Sequence, residues 1–333
     1  MTARGVSVTV AALLALGACS SPGPAPAKRA AEPAGAPTTL VAPAGRLVAL
    51  GGGGPEGLVA DPTTGLVAVA LRAPGRLALV DGGSGRVTAT VTLPGSARHL
   101  ALVRAGGPLL VPVEDRGLLL QVGLPTGGVV TRTVVGRGAH DAAAWAGRVF
   151  VSDEGAAAVS VVQDGRVVAT LSGPQQPGGV AAADGRVGVV DVRAGLLYVY
   201  DPATLRPVGG VPAGAGPTHV VADGHGGLVV ADTRGGALLR YRLRPDVRLL
   251  ERLTLPGRPY GLAADPGRRA VWVTLTDRNR LVGLRLTRDG LRPFADLPTV
   301  RQPNSVAVDV ASGRVDVVGS ADGMLQILTP DSP

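Results

Sequence analysis

Histidine is scarce in this chain of 333 residues, and three of its four copies stand at similar places in a repeated pattern. His99, His140 and His219 each follow a small residue or proline that opens a short apolar run. Imidazole titrates near neutral pH and binds zinc, copper or iron, so this grouping indicates a ligand site or a general base. The same place carries further polar side chains in this and other repeats: Glu56, Arg98, Asp141, Tyr260 and Asn304.

An alternative remains open at this stage, because polar residues also collect wherever a surface is wet. Counted back from the second run of its repeat, His140 shares the register of His219. His225 lies in a turn that we expect on the opposite face.

The repeat that carries these residues occurs seven times, about every 41 residues. Its copies open at Pro55, Ala97, Ala139, Pro177, Pro217, Pro259 and Pro303. Each copy contains short runs rich in Val and Leu, bounded by Gly, Pro, Asp or Asn, which is typical of strands joined by tight turns. The sequence therefore predicts an all-β fold, a seven-bladed β-propeller of four-stranded antiparallel blades.

The last copy has three runs instead of four, and the chain supplies a replacement near its other end. Arg46 to Leu50 is a strand-like run that precedes the first complete copy. If it forms the outer strand of the last blade, the ring closes and no open edge remains between first and last blades. The propeller is thus expected to span residues 45–330.

The blades resemble known families. Pro259-Tyr-Gly-Leu-Ala-Ala-Asp265 with Val271-Trp-Val-Thr274 resembles bacterial YVTN-type (YncE-like) repeats and is similar to the blades of streptogramin B lyases. Val229 to Arg240 is similar to an NHL repeat. The resemblance covers roughly Arg46 to Pro330 and implies the propeller fold, but such propellers include lyases, lactonases, binding scaffolds and lipoproteins.

The lyase resemblance implies a catalytic role for His219, with Tyr260 beside it. Lyases of this type carry a Glu on the late blades, where this chain has none in the corresponding loops. Lactonase-type propellers use a Glu, Asn, Asn, Asp calcium set, of which Glu56 and Asn304 alone have counterparts here.

A divalent metal is a further possibility. His99 and His140 come from neighbouring repeats, and Glu56 and Asp141 are close to them, so these four are the candidate metal ligands. His219 is expected across the channel, too far away to share one ion with the other two.

The first 44 residues indicate export and attachment to a membrane. Residues 1–18 contain an uncharged apolar run that is too short to span a bilayer and has the length of a signal-peptide core. Leu16-Gly-Ala-Cys19 resembles a bacterial lipobox, which predicts cleavage before Cys19 and lipidation of that residue, the only cysteine present. Residues 19–44 are rich in Pro and Ala and are expected to form a disordered tether. The protein is thus expected at the outer face of the bacterial cytoplasmic membrane.

Composition narrows the range of partners. The net charge is +8, but the arginines are scattered, and aromatic residues make up only 2% of the chain. With export expected and few rings for bases to stack on, nucleic acid is excluded as a partner. We expect a monomer that acts as a binding or scaffold protein for a protein, a cell-wall component or a small molecule at the channel mouth. The alternatives are a metal-dependent lyase or lactonase-like enzyme, and a structural member of an envelope complex without a ligand.

Overall fold

The computed structural model describes residues 1–2, 30–38 and 41–329. The predicted signal peptide beyond its first two residues, the lipidation site Cys19 and the first part of the tether lie outside the described residues. Among the residues described, no helix is both long enough and apolar enough to cross a membrane.

The described chain begins its regular structure with β1 (Arg46–Ala49). Blade 1 contains β2 (Gly53–Ala60), β3 (Leu66–Ala73), β4 (Arg76–Asp81) and β5 (Val87–Thr92). Blade 2 contains β6 (Ala101–Leu102), β7 (Leu109–Val113), β8 (Leu118–Val122) and β9 (Val129–Val134). Blade 3 contains β10 (Ala139–Trp145), β11 (Arg148–Asp153), β12 (Ala158–Gln163) and β13 (Arg166–Leu171). Blade 4 contains β14 (Pro177–Ala183), β15 (Arg186–Asp191), β16 (Leu196–Tyr200) and β17 (Pro207–Pro212).

The remaining blades follow the same plan. Blade 5 contains β18 (Pro217–Ala222), β19 (Gly227–Asp232), β20 (Ala237–Arg242) and β21 (Arg248–Thr254). Blade 6 contains β22 (Pro259–Asp265), β23 (Ala270–Leu275), β24 (Arg280–Thr287) and β25 (Gly290–Pro298). Blade 7 contains β26 (Pro303–Val308), β27 (Val315–Gly319) and β28 (Met324–Leu328). Two short 3₁₀ turns, Glu114–Arg116 and Glu154–Ala156, are the helical elements of the described ranges.

The predicted fold is confirmed. Every sheet has four antiparallel strands, and the last sheet has the order β1-β28-β27-β26. The N-terminal strand pairs directly with the last strand of the chain, with Val48 opposite Leu325. The ring is therefore closed by backbone hydrogen bonds between the two ends of the propeller.

The hydrophobic core lies between neighbouring blades because the second and third strands of each sheet have a neighbour on both faces. The residues of β7 and β19 are all buried, whereas the outer strand β5 alternates between exposed and half-buried side chains. Between blades 4 and 5, Leu197 packs in one cluster with Leu228 and Tyr241. Burial of one such large apolar side chain stabilises a fold by about 1.5–3 kcal/mol.

Aspartates at strand ends shape the turns, as expected for Asp residues in such positions. Asp191 accepts hydrogen bonds from the backbone N–H groups of Gln175, Gln176, Arg193 and Ala194. Asp232 does the same for three N–H groups of its own blade. Their role is structural.

A β-bulge at the start of the inner strand sets up the channel. The ladder between the first two strands shifts register directly after the opening residue in six blades. In blade 2 the opening residue Ala97 makes only an isolated bridge to Val113 before β6 begins. Bulges redirect the side chains that they carry, so the residues after each opening leave the regular alternation of the sheet.

Candidate functional site

Two rings of side chains surround the channel at the start of the inner strands. We call the residues directly after the seven openings the mouth layer: Glu56, Arg98, His140, Gly178, Thr218, Tyr260 and Asn304. The next residues form the channel layer: Gly57, His99, Asp141, Gly179, His219, Gly261 and Ser305. Five residues of the channel layer line the central cavity, whereas four residues of the mouth layer, together with His219, line a small recess.

These layers correct the register expected for His140. Asp141, not His140, is the counterpart of His219, because the hairpin that follows is one residue longer in blade 5: Ala142 pairs with Val151, and Val220 pairs with Val230.

The three histidines of the repeat form one continuous cluster with Tyr260. The ring centroids of His99 and His140 are 4.7 Å apart, and those of His99 and His219 are 4.8 Å apart. Tyr260 stands edge-on to His219 with a centroid distance of 4.3 Å. His219 thus lies closer to His99 than expected for a residue across the channel, although within the described residues the three imidazoles do not form a group with metal-like spacing. The inner strands converge on the axis, so residues of blades 2 and 5 meet there.

A network of ion pairs holds the mouth layer in blades 1 and 2. Arg72 lies 3.3 Å from a carboxylate oxygen of Glu56 and 3.1 Å from one of Glu114. Arg98 faces the same two carboxylates at 3.7 and 3.6 Å. Coulomb attraction by Glu56 and Glu114 outweighs burial and raises the pKa of Arg98. These pairs are largely shielded from water, so they fix the geometry more strongly than exposed pairs do.

His140 extends this network into blade 3. Its Nδ1 lies 3.1 Å from Glu154 and 3.9 Å from Glu114. Burial by itself lowers the pKa of His140, but the two carboxylates outweigh it and raise that pKa to about 9. The contact with His140 in turn lowers the pKa of Glu114 to about 2. The site at neutral pH thus combines three carboxylates with two guanidinium groups and one imidazolium, and these charges balance.

The channel layer has the opposite character. Burial, with repulsion from His140 and Arg98, lowers the pKa of His219 to about 3, and burial also lowers that of His99 well below its ordinary value. Both imidazoles are neutral at physiological pH. Neither ring nitrogen of His219 has a hydrogen-bond partner among the residues that the structure describes. A neutral imidazole offers one donor and one acceptor, so His219 can serve a ligand with both.

Asp141 adds a carboxyl group beside these rings. Burial raises the pKa of Asp141 to about 6, although the N–H groups of Val180 and Ala142 donate hydrogen bonds to its two oxygens. It is ionised at neutral pH and becomes protonated in mild acid. The channel layer therefore has one group that changes charge just below neutrality.

The channel below this layer is a cavity of about 320 Å³. His99, Asp141, His219 and Ser305 lie at its polar end. Apolar side chains line the rest: Leu58, Leu100, Leu102, Val180, Val220, Leu262 and Val306. A concave cavity that combines apolar side chains with a few convergent polar groups is the usual form of a small-molecule site.

Residues 30–38 lie against the face of the propeller that carries the mouth layer, which we call the mouth face. Ala30, Ala31 and Glu32 line a recess that also contains His140 and Tyr260. The chain then continues over blades 6 and 7, where Ala34 and Ala36 make hydrogen bonds. This part of the predicted tether is therefore in contact with the propeller.

One group of side chains has the spacing of a metal site within the described ranges. Donor atoms of Glu114, His140 and Glu154 all lie within 4.8 Å of one another. Both carboxylates have other partners as well, since Glu114 pairs with Arg72 and Glu154 accepts a hydrogen bond from Gln176. The two carboxylates thus already face the positive groups of Arg72 and His140, and the arrangement fits an added dication less well.

The four predicted metal ligands do not come together as one set. Of these, only His140 belongs to the group with metal-like spacing. Glu56 pairs with two arginines, and Asp141 accepts backbone N–H groups in the channel layer. Metal binding stays a prediction.

The sequence analysis missed Arg72, Glu114 and Glu154, although the chain carried a signal for them. The openings Pro55, Ala97 and Ala139 pair with Leu71, Val113 and Asp153, which lie at or near the ends of the second strands. In each of these blades the next residue along the chain enters the ion-pair network. In each blade, the residue that follows the pairing partner of the opening residue is therefore a candidate for the site, and this rule identifies all three.

Comparisons with known proteins support the fold. No family model and no curated protein matches the chain. A chain of a structure of the mitotic checkpoint complex has a TM-score of 0.76 and 13% identity, covering 91% of this chain and 97% of that one. A streptogramin B lyase has a TM-score of 0.72 and 14% identity over 86% and 98% of the chains. Virginiamycin B lyase from Staphylococcus aureus has a TM-score of 0.70 and 13% identity over 86% and 99%.

These similarities define the class of protein: the chain is a seven-bladed β-propeller. At such identities they carry the fold alone. The assignment to YVTN, YncE-like or NHL families stays a prediction.

Proposed function

We propose that this protein is a lipid-anchored extracytoplasmic binding protein whose ligand is a small molecule held in the propeller channel. The supporting observation is that the cavity of about 320 Å³ ends on two neutral imidazoles, with the nitrogens of His219 unpaired within the described structure. The mouth layer supports this site, because its ion pairs hold the imidazole of His140 in contact with that of His99.

The chemistry of the cavity restricts the ligand. Apolar walls favour an apolar body, and the polar end favours one group that both donates and accepts hydrogen bonds. His99 and His219 are uncharged, and Asp141 is anionic at neutral pH, so a neutral or weakly basic head is favoured over a strong acid. Small phenols, amides and amines with an apolar substituent have this combination.

Thermal unfolding with and without such compounds tests the proposal. A compound at 100 times its dissociation constant adds about 2.7 kcal/mol of apparent stability. The chain carrying His99→Ala and His219→Ala is expected to unfold with the same cooperativity but to lose this stabilisation. The matched control is His225→Ala, which removes an imidazole outside both layers. A compound that stabilises the double variant as much as the parent contradicts the proposed site.

Anchoring is tested separately. Full-length chain expressed in a bacterium with lipoprotein processing is expected in the membrane fraction, and Cys19→Ser is expected to prevent lipid incorporation. Recovery of both forms in the same soluble fraction argues against a lipid anchor and leaves the channel site untouched.

A second candidate function is a lyase- or lactonase-like activity. The observation in its favour is Asp141, whose pKa of about 6 suits a general base and which stands in the cavity with two imidazoles. The similarity to two lyases extends to the fold alone. If this activity exists, cyclic esters or lactones are converted by the parent and not by Asp141→Asn, and the metal content of the purified protein shows whether an ion takes part.

A further inference from the structure

The mouth face over blades 5 to 7 contacts residues 30–38 of the same chain. We propose that this face is a binding groove for an extended peptide of small residues and proline, and that the chain's own segment Ala30–Thr38 occupies it in cis. The inference rests on the proposed binding role and concerns a surface that meets the channel layer at His219.

Side chains of the propeller grip the backbone of this segment. The N–H of Ala36 donates to Oε1 of Gln302 over 2.8 Å, and Nε2 of Gln302 donates to the carbonyl of Ala34 over 2.8 Å. The N–H of Ala34 donates to Oγ1 of Thr276 over 3.1 Å. The side-chain amide of Gln302 thus forms hydrogen bonds with Ala34 and Ala36, which are two positions apart, as a neighbouring strand does in a sheet. Such hydrogen bonds recognise the backbone of the bound peptide and require no particular side chain in it.

Two asparagines extend this hydrogen-bond network. Nδ2 of Asn279 donates to the carbonyl of Pro37 over 3.0 Å, while its Oδ1 accepts the N–H of Gln302 over 3.0 Å. Oδ1 of Asn304 accepts a second hydrogen bond from Nε2 of Gln302 over 3.1 Å. Asn304, expected from its position to contact a ligand, therefore orients the residue that makes the contact.

The backbone of Gln302 is itself unusual. Its φ angle is +59°, a left-handed conformation that is unfavourable for a residue with a side chain. The N–H of Ser320 donates to its carbonyl, which holds this conformation. Arg258, the residue before the opening of blade 6, has a φ of +57°, so the turn that enters the inner strand imposes this conformation in both blades. A glycine would relieve the strain and would lose the amide.

The groove also selects side chains by size. Ala31 is only 9% exposed, and its Cβ lies 2.9 Å from the point where a Cβ on Gly216 would stand. A larger residue in place of Ala31 collides with blade 5 unless its side chain enters the adjoining cavity. Pro33 and Pro37 restrict the segment to extended conformations, so little conformational entropy is lost when it docks.

The charge of the groove favours one acidic side chain in the peptide. A cavity of about 250 Å³ beside Ala31 and Ala34 is lined by Arg234 and Arg258. Glu32 belongs to the same lining. The peptide class is thus extended, built of Ala, Gly and Pro, with an acidic residue before the first proline.

A trans-binding experiment tests the proposal. In the full chain, residues 30–38 are replaced by nine residues of alternating Gly and Ser, and the probe is a fluorescein-labelled peptide with the sequence of Ala30–Thr38. Because a tethered segment acts at about millimolar effective concentration, docking in cis requires a dissociation constant of about 1 mM or less in trans. Fluorescence polarisation is expected to show saturable binding to the replaced chain and weaker binding to the parent chain, whose groove is filled: about 2-fold weaker for a dissociation constant of about 1 mM and about 10-fold weaker for about 0.1 mM.

Variants make the test specific. In the replaced chain, Gln302→Ala is expected to weaken peptide binding at least about 10-fold, since it removes two backbone contacts. Gln121→Ala, a glutamine of blade 2 outside the groove, is the matched control, and far-ultraviolet circular dichroism confirms that both variants are folded. A peptide with Trp in place of Ala31 is expected to bind more weakly than the parent peptide, because Ala31 packs against Gly216.

Three results overturn the proposal: no saturable binding to the replaced chain up to about 5 mM peptide, equal binding after Gln302→Ala in a folded chain, or equal binding of the Trp peptide. Failure of the channel proposal is distinguishable from these. In the replaced chain, His99→Ala, which changes a channel residue outside the recess beside Ala31, is expected to bind the peptide normally, whatever happens to small ligands in the channel.

Discussion

His140 makes the stability of this propeller depend on pH in a range where few other groups titrate. Its imidazole is only 8% exposed and lies between two carboxylates, which raise its pKa from 6.5 in the unfolded chain to about 9 in the folded one. Between these values the folded state holds one proton more than the unfolded state. The free energy of unfolding therefore decreases as the pH rises, by about 1.4 kcal/mol per pH unit and about 3 kcal/mol in all.

Other buried groups act outside this range. Burial raises the pKa of Asp141 to about 6, so the stability that its proton provides is lost as the pH rises to about 6. That is below the pH range in which His140 titrates. The pKa values of His99 and His219 are lowered, so their effect is a loss of stability as the pH falls below 6.5. Above pH 7.5 the predicted slope belongs to His140 alone among these four groups.

Urea unfolding of the parent at intervals from pH 6.5 to pH 9 measures the slope. His140→Gln removes the titrating group and is expected to give a flat profile, lower than that of the parent at pH 6.5 and converging with it near pH 9. His225→Gln, which changes an exposed histidine elsewhere, is expected to keep the slope. A parent profile that is flat from pH 7 to pH 9, or a slope retained in His140→Gln, refutes the placement of this proton.

Three further predictions concern the fold, each measured by urea unfolding. Val48→Asp is expected to destabilise the ring closure by about 1–2 kcal/mol, because Val48 packs on the core while its neighbour Leu47 is 43% exposed; equal losses for Val48→Asp and Leu47→Asp contradict this. Gly261→Ala places a Cβ 2.8 Å from a backbone oxygen of blade 7 and is expected to destabilise by about 1–3 kcal/mol, with Gly209→Ala, which meets nothing within 4 Å, as control. Asp232→Ala leaves three N–H groups without their acceptor Oδ1 and is expected to lose about 2–3 kcal/mol, while Asp232→Asn keeps that oxygen and is expected to lose much less.

The agreement between sequence and structure is closest where local patterns decide the outcome. Repeated apolar runs with turn residues at a constant interval specify strands, their number and the missing strand that Arg46–Ala49 supplies. Placement of His99, His140 and His219 near the channel also followed from the repeat, since equivalent residues occupy equivalent positions in every blade.

The sequence-based prediction and the structure differ where a shift of one residue in the strand register changes the outcome. The bulge after each opening residue divides neighbouring positions between two layers, so His140 belongs to an ion-pair network and Asp141 to the channel. A strand pattern of period two contains no mark of a bulge. For the same reason the pKa of His140 is raised and that of His219 is lowered, although both were assigned to one site.

The sequence by itself determined the ring: seven blades, the closing strand and the set of polar residues that face the axis, because each depends on contacts close in sequence or on simple repetition. The tertiary structure alone decided which of those residues meet. The diameter of the channel brings His219 within 4.8 Å of His99, and blades 5 to 7 together form the surface on which residues 30–38 lie. Distances across a closed ring depend on how all the blades pack against one another, and no local pattern encodes that sum.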